Sequence, residues 1–419
     1  MTEARSQKRQ LLVILTIVFL GFVGISMPYL IFPALFLNPS YSILPIDTSE
    51  SSRAFLLGIT LASYPLGQFI GSPILGALSD DYGRKKLLWG SLLITGICNL
   101  FTGIAIAKQH LGMLIISRLI AGIMEGNIAI ARAMAADFKT ISKHKTFGKM
   151  NAVTSISYLI GPLLGGVLTD KSLFVGLSMS TPFFVICILF FLLSGLSGLL
   201  LKKSVVQSST EARTVWQRLN FIKRMSVLFT NKQLKFLIIS GLSFTLAVDI
   251  FFEFGPVYLT VKWALGPAQL ILYNSILCIA LAIGSGGLPS FFSSPGTNYL
   301  SIIGGIGGFA LFLIGMIVTE SIFSIMILFA LSGLVIGLAS TLITIKISDS
   351  VSDTIQGEVM GIQISLRVLG DGLICLCGGG LLIVSSKLIL LIAVILSLFS
   401  MIYYKIRHKF SFPSRISSS

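Results

Sequence analysis

Residues 76–86 read Gly76-Ala-Leu-Ser-Asp80-Asp-Tyr-Gly83-Arg84-Lys85-Lys86, and this stretch decides the fold. It separates two long apolar runs, at roughly 53–78 and 87–107. Apolar runs of about 20 residues cross a bilayer as helices. We therefore interpret the stretch as a tight, charged turn between two membrane-spanning helices, in which glycines let the helix ends approach and supply backbone angles that other residues resist.

The whole chain has the composition of an integral membrane protein. Of its 419 residues, 54% are hydrophobic and 11% are charged, and the mean hydropathy is +0.93. The first apolar run is too long for a secretory signal and lacks a small-x-small cleavage site, so we expect a retained helix. At about 20 residues each, the runs predict an all-α protein with twelve spans, near 11–36, 53–78, 87–107, 111–136, 147–169, 181–201, 235–260, 268–290, 298–319, 321–344, 358–384 and 386–404.

The net charge of +15 follows from membrane topology and not from nucleic-acid binding. Most of the 31 Lys and Arg lie in the N-terminal segment, in the loops on that side of the membrane and in the C-terminal tail. The opposite loops hold Lys108, Lys171, Lys262 and Lys387. Because Lys and Arg favour the cytoplasmic side, we predict that both termini are cytoplasmic in a multi-pass protein of a bacterial inner membrane.

The longest polar segment divides the chain into two halves. Residues 1–201 form a six-helix half, 202–234 a cytoplasmic central loop, and 235–419 a second six-helix half with a short basic tail. The loop is either a short amphipathic helix at the membrane surface or a solvated linker. The pair Gly370-Asp371 takes the place in the second half that Gly161-Pro162 takes in the first, which indicates two pseudo-symmetric repeats.

Span four carries charges inside the bilayer, where each costs several kcal/mol unless it is paired or faces water. Arg118, Glu125 and Arg132 are spaced by seven residues. That spacing places all three on one helix face. The face either lines a cavity or, in the alternative, Arg118 hydrogen-bonds carbonyl groups of neighbouring helices.

Spans seven and eleven each carry a charged pair at a spacing of four, so each pair shares a helix face. In span seven these are Asp249 and Glu253, among several aromatic residues that offer cation–π faces. Two such acids in a low-dielectric site do not both ionise. We expect Asp249 to carry a proton; alternatively, one acid pairs with an arginine and serves helix assembly. In span eleven, Arg367 and Asp371 either neutralise each other or take part in coupling.

Three motifs resemble signatures of the major facilitator superfamily. The opening stretch resembles the family's loop Gly-x-Leu-x-Asp-x-x-Gly-Arg-Arg/Lys, with a departure at Asp81. The run Arg118-x-x-x-Gly122 resembles its fourth-helix signature, which in the family is associated with proton coupling. The fifth span resembles the signature of drug:proton antiporters, with Ser157 in place of one glycine; ordinary helix packing by small residues is the alternative. The residues of this antiporter-like helix are Gly148, Gly161, Pro162, Gly165 and Gly166.

The resemblance implies a fold and a gate. Spans 1, 4, 7 and 10 are expected to line a substrate cavity between the halves. Gly76, Asp80, Gly83 and Arg84 belong to the gating loop, in which Asp80 is expected to meet the start of span eleven, and Arg84 the acid at the end of span four, Asp137.

The sequence thus predicts a monomeric secondary transporter that exports a small organic molecule (a drug, metabolite or siderophore) in exchange for protons. A proton-coupled importer of a nutrient such as an amino acid or nucleoside, and a membrane scaffold or receptor, remain alternatives. We expect no enzyme activity, cofactor or metal, because the chain has no phosphate-binding loop and its one close cysteine pair, Cys375 and Cys377, lies in an apolar span without histidine. Asp249 is the expected proton carrier, and Glu125 the expected structural or substrate partner.

Overall fold

The computed structural model describes residues 2–38, 41–136, 138, 143–202, 232–292, 295–350 and 353–411. Across these residues the regular structure is helical, with no β-strand. A short 3-10 helix, Leu288–Phe292, is included. The α-helices are α1 Thr2–Ser26, α2 Pro28–Leu37, α3 Glu50–Tyr82, α4 Arg84–Ala107, α5 Leu111–Met124, α6 Gly126–Ala136, α7 Lys143–Val167, α8 Thr181–Leu200, α9 Lys232–Trp263, α10 Pro267–Gly286, α11 Pro295–Val318, α12 Ile322–Asp349, α13 Asp353–Leu382 and α14 Ser386–Ser411.

The helices confirm the predicted membrane fold. Eleven of them, counting α1 with α2 and α5 with α6, are long and apolar enough to cross a bilayer. The predicted fifth span corresponds to α7, whose apolar stretch Ala152–Val167 is shorter. Spans one and four are each built from two consecutive helices, which the apolar pattern did not indicate.

The turn between spans two and three is shorter than the sequence suggested. Helix α3 continues through Tyr82 and α4 begins at Arg84, so Gly83 alone separates them. Its φ of 92° is a conformation that side chains with a Cβ rarely adopt. Gly76, by contrast, lies inside α3, and a Cβ placed on it would meet no atom within 4 Å. The expectation that both glycines serve a turn is therefore correct for Gly83 and wrong for Gly76.

The loop after α2 is held by one arginine. From the first turn of α3, Arg53 donates hydrogen bonds to the carbonyl oxygens of Phe36, Pro45 and Thr48 and to the hydroxyl of Ser42. Because each carbonyl would otherwise need another partner, Arg53 fixes the path of residues 41–48. This accounts for an arginine at the edge of span two.

The chain forms two compact units. Unit 1 consists of Met1–Leu219, Leu259–Ile271 and Cys375–Ile383, and unit 2 of Asn220–Tyr258, Leu272–Ile374 and Val384–Ser419. The division into halves at 1–201 and 235–419 stays a prediction. Most of the central loop, 203–231, lies outside the described residues.

Candidate functional site

A buried acid stands at the break in span four. Helix α5 ends at Met124 and α6 begins at Gly126, so Glu125 joins them. Its backbone N–H still donates to the Gly122 carbonyl at 3.0 Å, which keeps the chain close to helical. A Cβ on Gly126 would lie 2.6 Å from the Cβ of Leu75, so glycine permits the close approach of α3 at this point. The side chain of Glu125 is only 2% exposed.

Tyr64 of α3 connects Glu125 with Arg118. The Tyr64 hydroxyl donates a hydrogen bond to Glu125 Oε2. The guanidinium of Arg118 lies over the Tyr64 ring, 4.4 Å from its centroid, and 5.8 Å from the centroid of Phe32. A cation over an aromatic face is attracted by the ring quadrupole, most strongly where water is excluded. One tyrosine therefore contacts both charged groups, Arg118 by its face and Glu125 by its hydroxyl.

Several polar atoms at this place have no partner. Arg118 Nε, Glu125 Oε1 and both amide atoms of Asn127 are buried and make no hydrogen bond with any described residue. The sequence alternative, in which Arg118 hydrogen-bonds carbonyl groups, is wrong for this part of the chain, because its contacts are aromatic rings. Buried polar atoms are almost always satisfied, so this group of unpartnered atoms is a candidate binding site. We call Tyr64, Arg118, Glu125 and Asn127 the tyrosine-bridged site.

The predicted common face of Arg118, Glu125 and Arg132 is interrupted by the helix break. Arg118 is buried as deeply as Glu125, whereas Arg132, beyond the break in α6, is half-buried. Both arginines interact electrostatically with the Glu125 carboxyl. The three residues therefore share one electrostatic environment, although they do not lie along a single continuous helix.

Helix α7 packs its glycines against neighbouring backbone. A Cβ on Gly161 would lie 2.0 Å from the Ser26 hydroxyl and 2.9 Å from the Val23 carbonyl oxygen, and one on Gly165 would lie 2.8 Å from the Met27 carbonyl oxygen. These contacts occur where α1 gives way to α2. Pro162 lies inside α7.

Two further positions of α7 were part of the prediction. A Cβ on Gly166 would lie 2.2 Å from Ile271 Cγ1. Gly148 is helical, and nothing is described of its surroundings. Small-residue packing is thus established for Gly161, Gly165 and Gly166, while an antiport role for the motif stays a prediction.

The gating loop is described in part. Arg84 Nη1 donates to the carbonyl oxygen of Ala133 at 3.0 Å, which ties the start of α4 to the last turns of span four. The expected acid partner, Asp137, and the side chain of Asp80 lie outside the described residues. The contacts predicted for these two acids remain expectations.

In unit 2, Arg367 binds the acid of span seven. Its Nε and Nη2 donate to the two carboxylate oxygens of Asp249 at 2.9 and 2.6 Å. Arg367 also interacts electrostatically with Asp371, so mutual neutralisation within span eleven and a role in coupling both stay predictions. Asp249 follows the alternative in which an acid pairs with an arginine. Asp249 is therefore not isolated among apolar side chains, and its expected role as the proton carrier stays a prediction.

The closely spaced acids of unit 2 are Glu253 and Asp371. Their carboxyl oxygens lie within 4.8 Å of each other, and Asp371 Oδ1 is buried without a partner in the described chain. Asp371 also interacts electrostatically with Glu253, Asp249 and Arg367, so three acids and one guanidinium influence one another here. We call these four residues the acid cluster.

Several aromatic residues of span seven pack in the hydrophobic core. Phe251 packs at 5.7 Å from Phe309 and 4.9 Å from Phe329, and Phe244 meets Phe309 edge-on at 5.9 Å. The Tyr258 hydroxyl donates to the Met316 carbonyl oxygen at 3.0 Å. The expectation that these rings present cation–π faces to a substrate is wrong for Phe244 and Phe251, which are buried in helix packing.

Sequence reasoning missed Tyr64 and Asn127. A tyrosine hydroxyl inside an apolar span has to find a hydrogen-bond partner, and this would have drawn attention to Tyr64. Asn127 directly follows the Glu-Gly pair at the helix break, where a buried amide is costly unless it is bonded.

Comparisons with known proteins agree on one family. A sequence model described as the Major Facilitator Superfamily matches residues 11–373. The class H tetracycline resistance protein of Pasteurella multocida is 37% identical over 166 residues, which cover 39% of this chain and 38% of that protein. The MFS-type transporter YuxJ of Bacillus subtilis is 28% identical over 339 residues, covering 78% of this chain and 80% of that protein. Multidrug resistance protein 2 of Bacillus subtilis is 26% identical over 322 residues, covering 71% and 76%.

Solved transporter structures share the fold. A mutant of the nucleoside transporter NupG superposes with a TM-score of 0.71 at 16% identity, over 95% of this chain and 99% of that one. A bacterial homologue of the human lysosomal transporter Spinster, inward-facing and unoccupied, gives a TM-score of 0.68 at 14% identity, over 99% of both chains. At these identities the likeness concerns the fold alone.

Proposed function

The chain belongs to the major facilitator superfamily, and on that premise we propose that it exports a small organic molecule in exchange for protons. The family and its structural neighbours are transporters. The protein is accordingly a multi-pass membrane transporter of small molecules. Proton coupling, the direction of transport and the substrate class are the proposal.

The acid cluster is the observation that carries proton coupling. Glu253 and Asp371 hold carboxyl oxygens within 4.8 Å, both on membrane-spanning helices. Asp249 already neutralises Arg367. Two further carboxyl groups this close in a low-dielectric interior do not both ionise, so one of them holds a proton. A bound proton that leaves when the surroundings change is what a proton-driven carrier requires.

Export is supported by the relatives and by α7. The relatives are named for resistance to tetracycline and to multiple drugs, and outward transport of a drug would provide such resistance. Two glycines of the antiporter-like motif, Gly161 and Gly165, approach the backbone of Val23 and Met27 closely, where α1 ends and α2 begins. We further propose that the protein is a monomer of a bacterial inner membrane, built as two six-helix halves with cytoplasmic termini.

Proteoliposomes with an imposed pH gradient test the proposal without knowledge of protein orientation. During antiport the substrate accumulates on the acid side, whereas during symport it accumulates on the alkaline side. We expect a labelled panel that includes tetracycline to accumulate in acid-loaded vesicles and to leave when a protonophore is added. Protein-free liposomes correct for passive trapping of weak bases.

Each other outcome of this assay identifies an alternative. Accumulation in alkaline-loaded vesicles would replace the exporter by a proton-coupled importer. No gradient-dependent accumulation of any compound would favour a scaffold or receptor and reject proton-coupled export.

A further inference from the structure

The tyrosine-bridged site holds two groups of opposite character that do not satisfy each other. Arg118 is 3% exposed and Glu125 is 2% exposed, yet no ion pair joins them in the described chain. Tyr64 contacts both, with its ring face under the guanidinium and its hydroxyl on the carboxyl. Arg118 Nε and Glu125 Oε1 are left without partners.

This arrangement is costly unless a ligand completes it. Burying an arginine without a hydrogen-bonded counter-ion forfeits its hydration. The stacking of Arg118 on Tyr64 and Phe32 replaces only part of that hydration. Asn127 adds an amide that is 0% exposed and makes no hydrogen bond within the described chain.

We infer that the tyrosine-bridged site recognises a zwitterionic substrate. Arg118 binds the anionic group of the ligand, because a guanidinium presents a planar fork of donors that suits a carboxylate. Glu125 Oε1 accepts a hydrogen bond from the ammonium group, and the Asn127 amide offers a further polar contact. The inference rests on the proposed transport function and names the substrate class of that transporter.

Three fluorescent probes test each charge separately. Nα-dansyl-lysine carries a carboxylate and an ammonium group; dansylcadaverine lacks the carboxylate, and dansylnorleucine lacks the ammonium. Binding to the full-length protein in lipid nanodiscs is followed by dansyl fluorescence. We expect dansyl-lysine to bind at least about tenfold more tightly than either singly charged probe, since each lost charge-assisted hydrogen bond costs about that factor.

Substitutions assign each preference to a residue. Arg118→Gln should lower the affinity for dansyl-lysine to that for dansylcadaverine and leave dansylcadaverine unchanged. Glu125→Gln should lower the affinity for dansyl-lysine to that for dansylnorleucine, and it should leave the affinity for dansylnorleucine unchanged. The matched control is Lys171→Gln, a charge removed from an exposed loop. Arg118→Lys keeps the charge without the planar fork, and it should retain a weakened preference if Arg118→Gln does not fold.

Three results would reject the zwitterion site. They are similar affinities for all three probes, no binding of any probe, and an equal loss for all three in Arg118→Gln. If those results came with gradient-driven accumulation in proteoliposomes, the inference alone would fail. Selective binding of dansyl-lysine without such accumulation would instead reject proton-coupled export.

Discussion

Arg367 of α13 donates hydrogen bonds to both carboxylate oxygens of Asp249 on α9, at 2.9 and 2.6 Å. The two side chains differ greatly in environment, because that of Arg367 is 43% exposed and that of Asp249 is 6% exposed. Removing one partner therefore has a different consequence from removing the other. An arginine that loses its acid can turn to water, whereas a buried aspartate that loses its arginine stays an uncompensated charge or takes up a proton.

We predict that Arg367→Gln destabilises the protein more than Asp249→Asn does. Arg367→Gln strands a buried carboxylate and should approach the loss of about 3 kcal/mol typical of a broken buried pair. Asp249→Asn should cost about 0–1 kcal/mol, as for an exposed pair. Thermal unfolding in detergent, followed by a thiol-reactive dye that detects the buried cysteines, measures both. Equal losses of stability would contradict the expectation that water hydrates the exposed Arg367 after Asp249 is replaced.

Gly83 and Gly76 form a matched pair of substitutions in one motif. Gly83→Ala forces a Cβ into a backbone conformation with φ 92° and should cost about 1–3 kcal/mol. Gly76→Ala adds a methyl group where no atom lies within 4 Å, and it should be neutral or stabilise helix α3 by up to about 1 kcal/mol. The same thermal assay compares the two. A larger loss at Gly76 than at Gly83 would contradict the one-residue turn.

Gly161→Ala is expected to disturb the contact between α7 and α1. The new methyl group would lie 2.0 Å from the Ser26 hydroxyl, and overpacking of this kind costs about 1–3 kcal/mol. Adding Ser26→Ala should recover part of the loss, because the Val23 carbonyl oxygen would remain at 2.9 Å. Gly195→Ala is the control, since a Cβ there meets no atom within 4 Å. Stability unchanged by Gly161→Ala would mean that the helices separate at little cost.

The fold was predictable because the information is local. Each span is a run of apolar residues, and the Gly83-Arg84 boundary marks the end of one helix and the start of the next. The partners of the charged residues were not local. Arg367 has Asp371 one turn away on its own helix, yet it binds Asp249, 118 residues distant in sequence. Which acid Arg367 binds depends on the direction of its side chain and on the position of α9. Neither can be derived from the spacing of residues along one helix.

The tyrosine-bridged site shows the same limit. The sequence placed Arg118 and Glu125 together on one face, and both do lie in one buried site. Tyr64 joins them from 61 residues before Glu125. The break at Glu125 had no proline to signal it, and Gly126 alone marks the place where α3 approaches. A contact of this kind is decided by how closely two helices pack.

The proposed topology predicts which engineered cysteines a membrane-impermeant maleimide reaches. Cys377 is the one exposed native cysteine, so the labelling background is Cys377→Ser. In that background, Ser208→Cys and Ser419→Cys should react in inside-out vesicles and not in intact spheroplasts, because the positive-inside rule places both on the cytoplasmic side. Lys171→Cys, in a loop predicted to be external, should show the reverse. Reaction of Ser208→Cys in intact spheroplasts would show that the orientation is opposite to the proposed one.

The last prediction separates Glu253 and Asp371 from the rest of the acid cluster. Their carboxyl oxygens lie within 4.8 Å, and the proposed function requires that one of them holds a proton while the other is ionised. Either Glu253→Gln or Asp371→Asn leaves one carboxyl of this close pair. That carboxyl then has no neighbouring acid of the pair with which to share a proton. We expect either variant to lose pH-gradient-driven accumulation in proteoliposomes and to keep energy-independent exchange of substrate. Asp170→Asn, which removes a half-buried acid from the loop after α7 and keeps the Oδ1 that accepts from the Ser172 N–H, is the control and should transport normally. If both variants kept full gradient-driven accumulation, the proton would have to bind elsewhere, and Glu125 would be the next acid to test because it is buried with one oxygen unpartnered by any described residue.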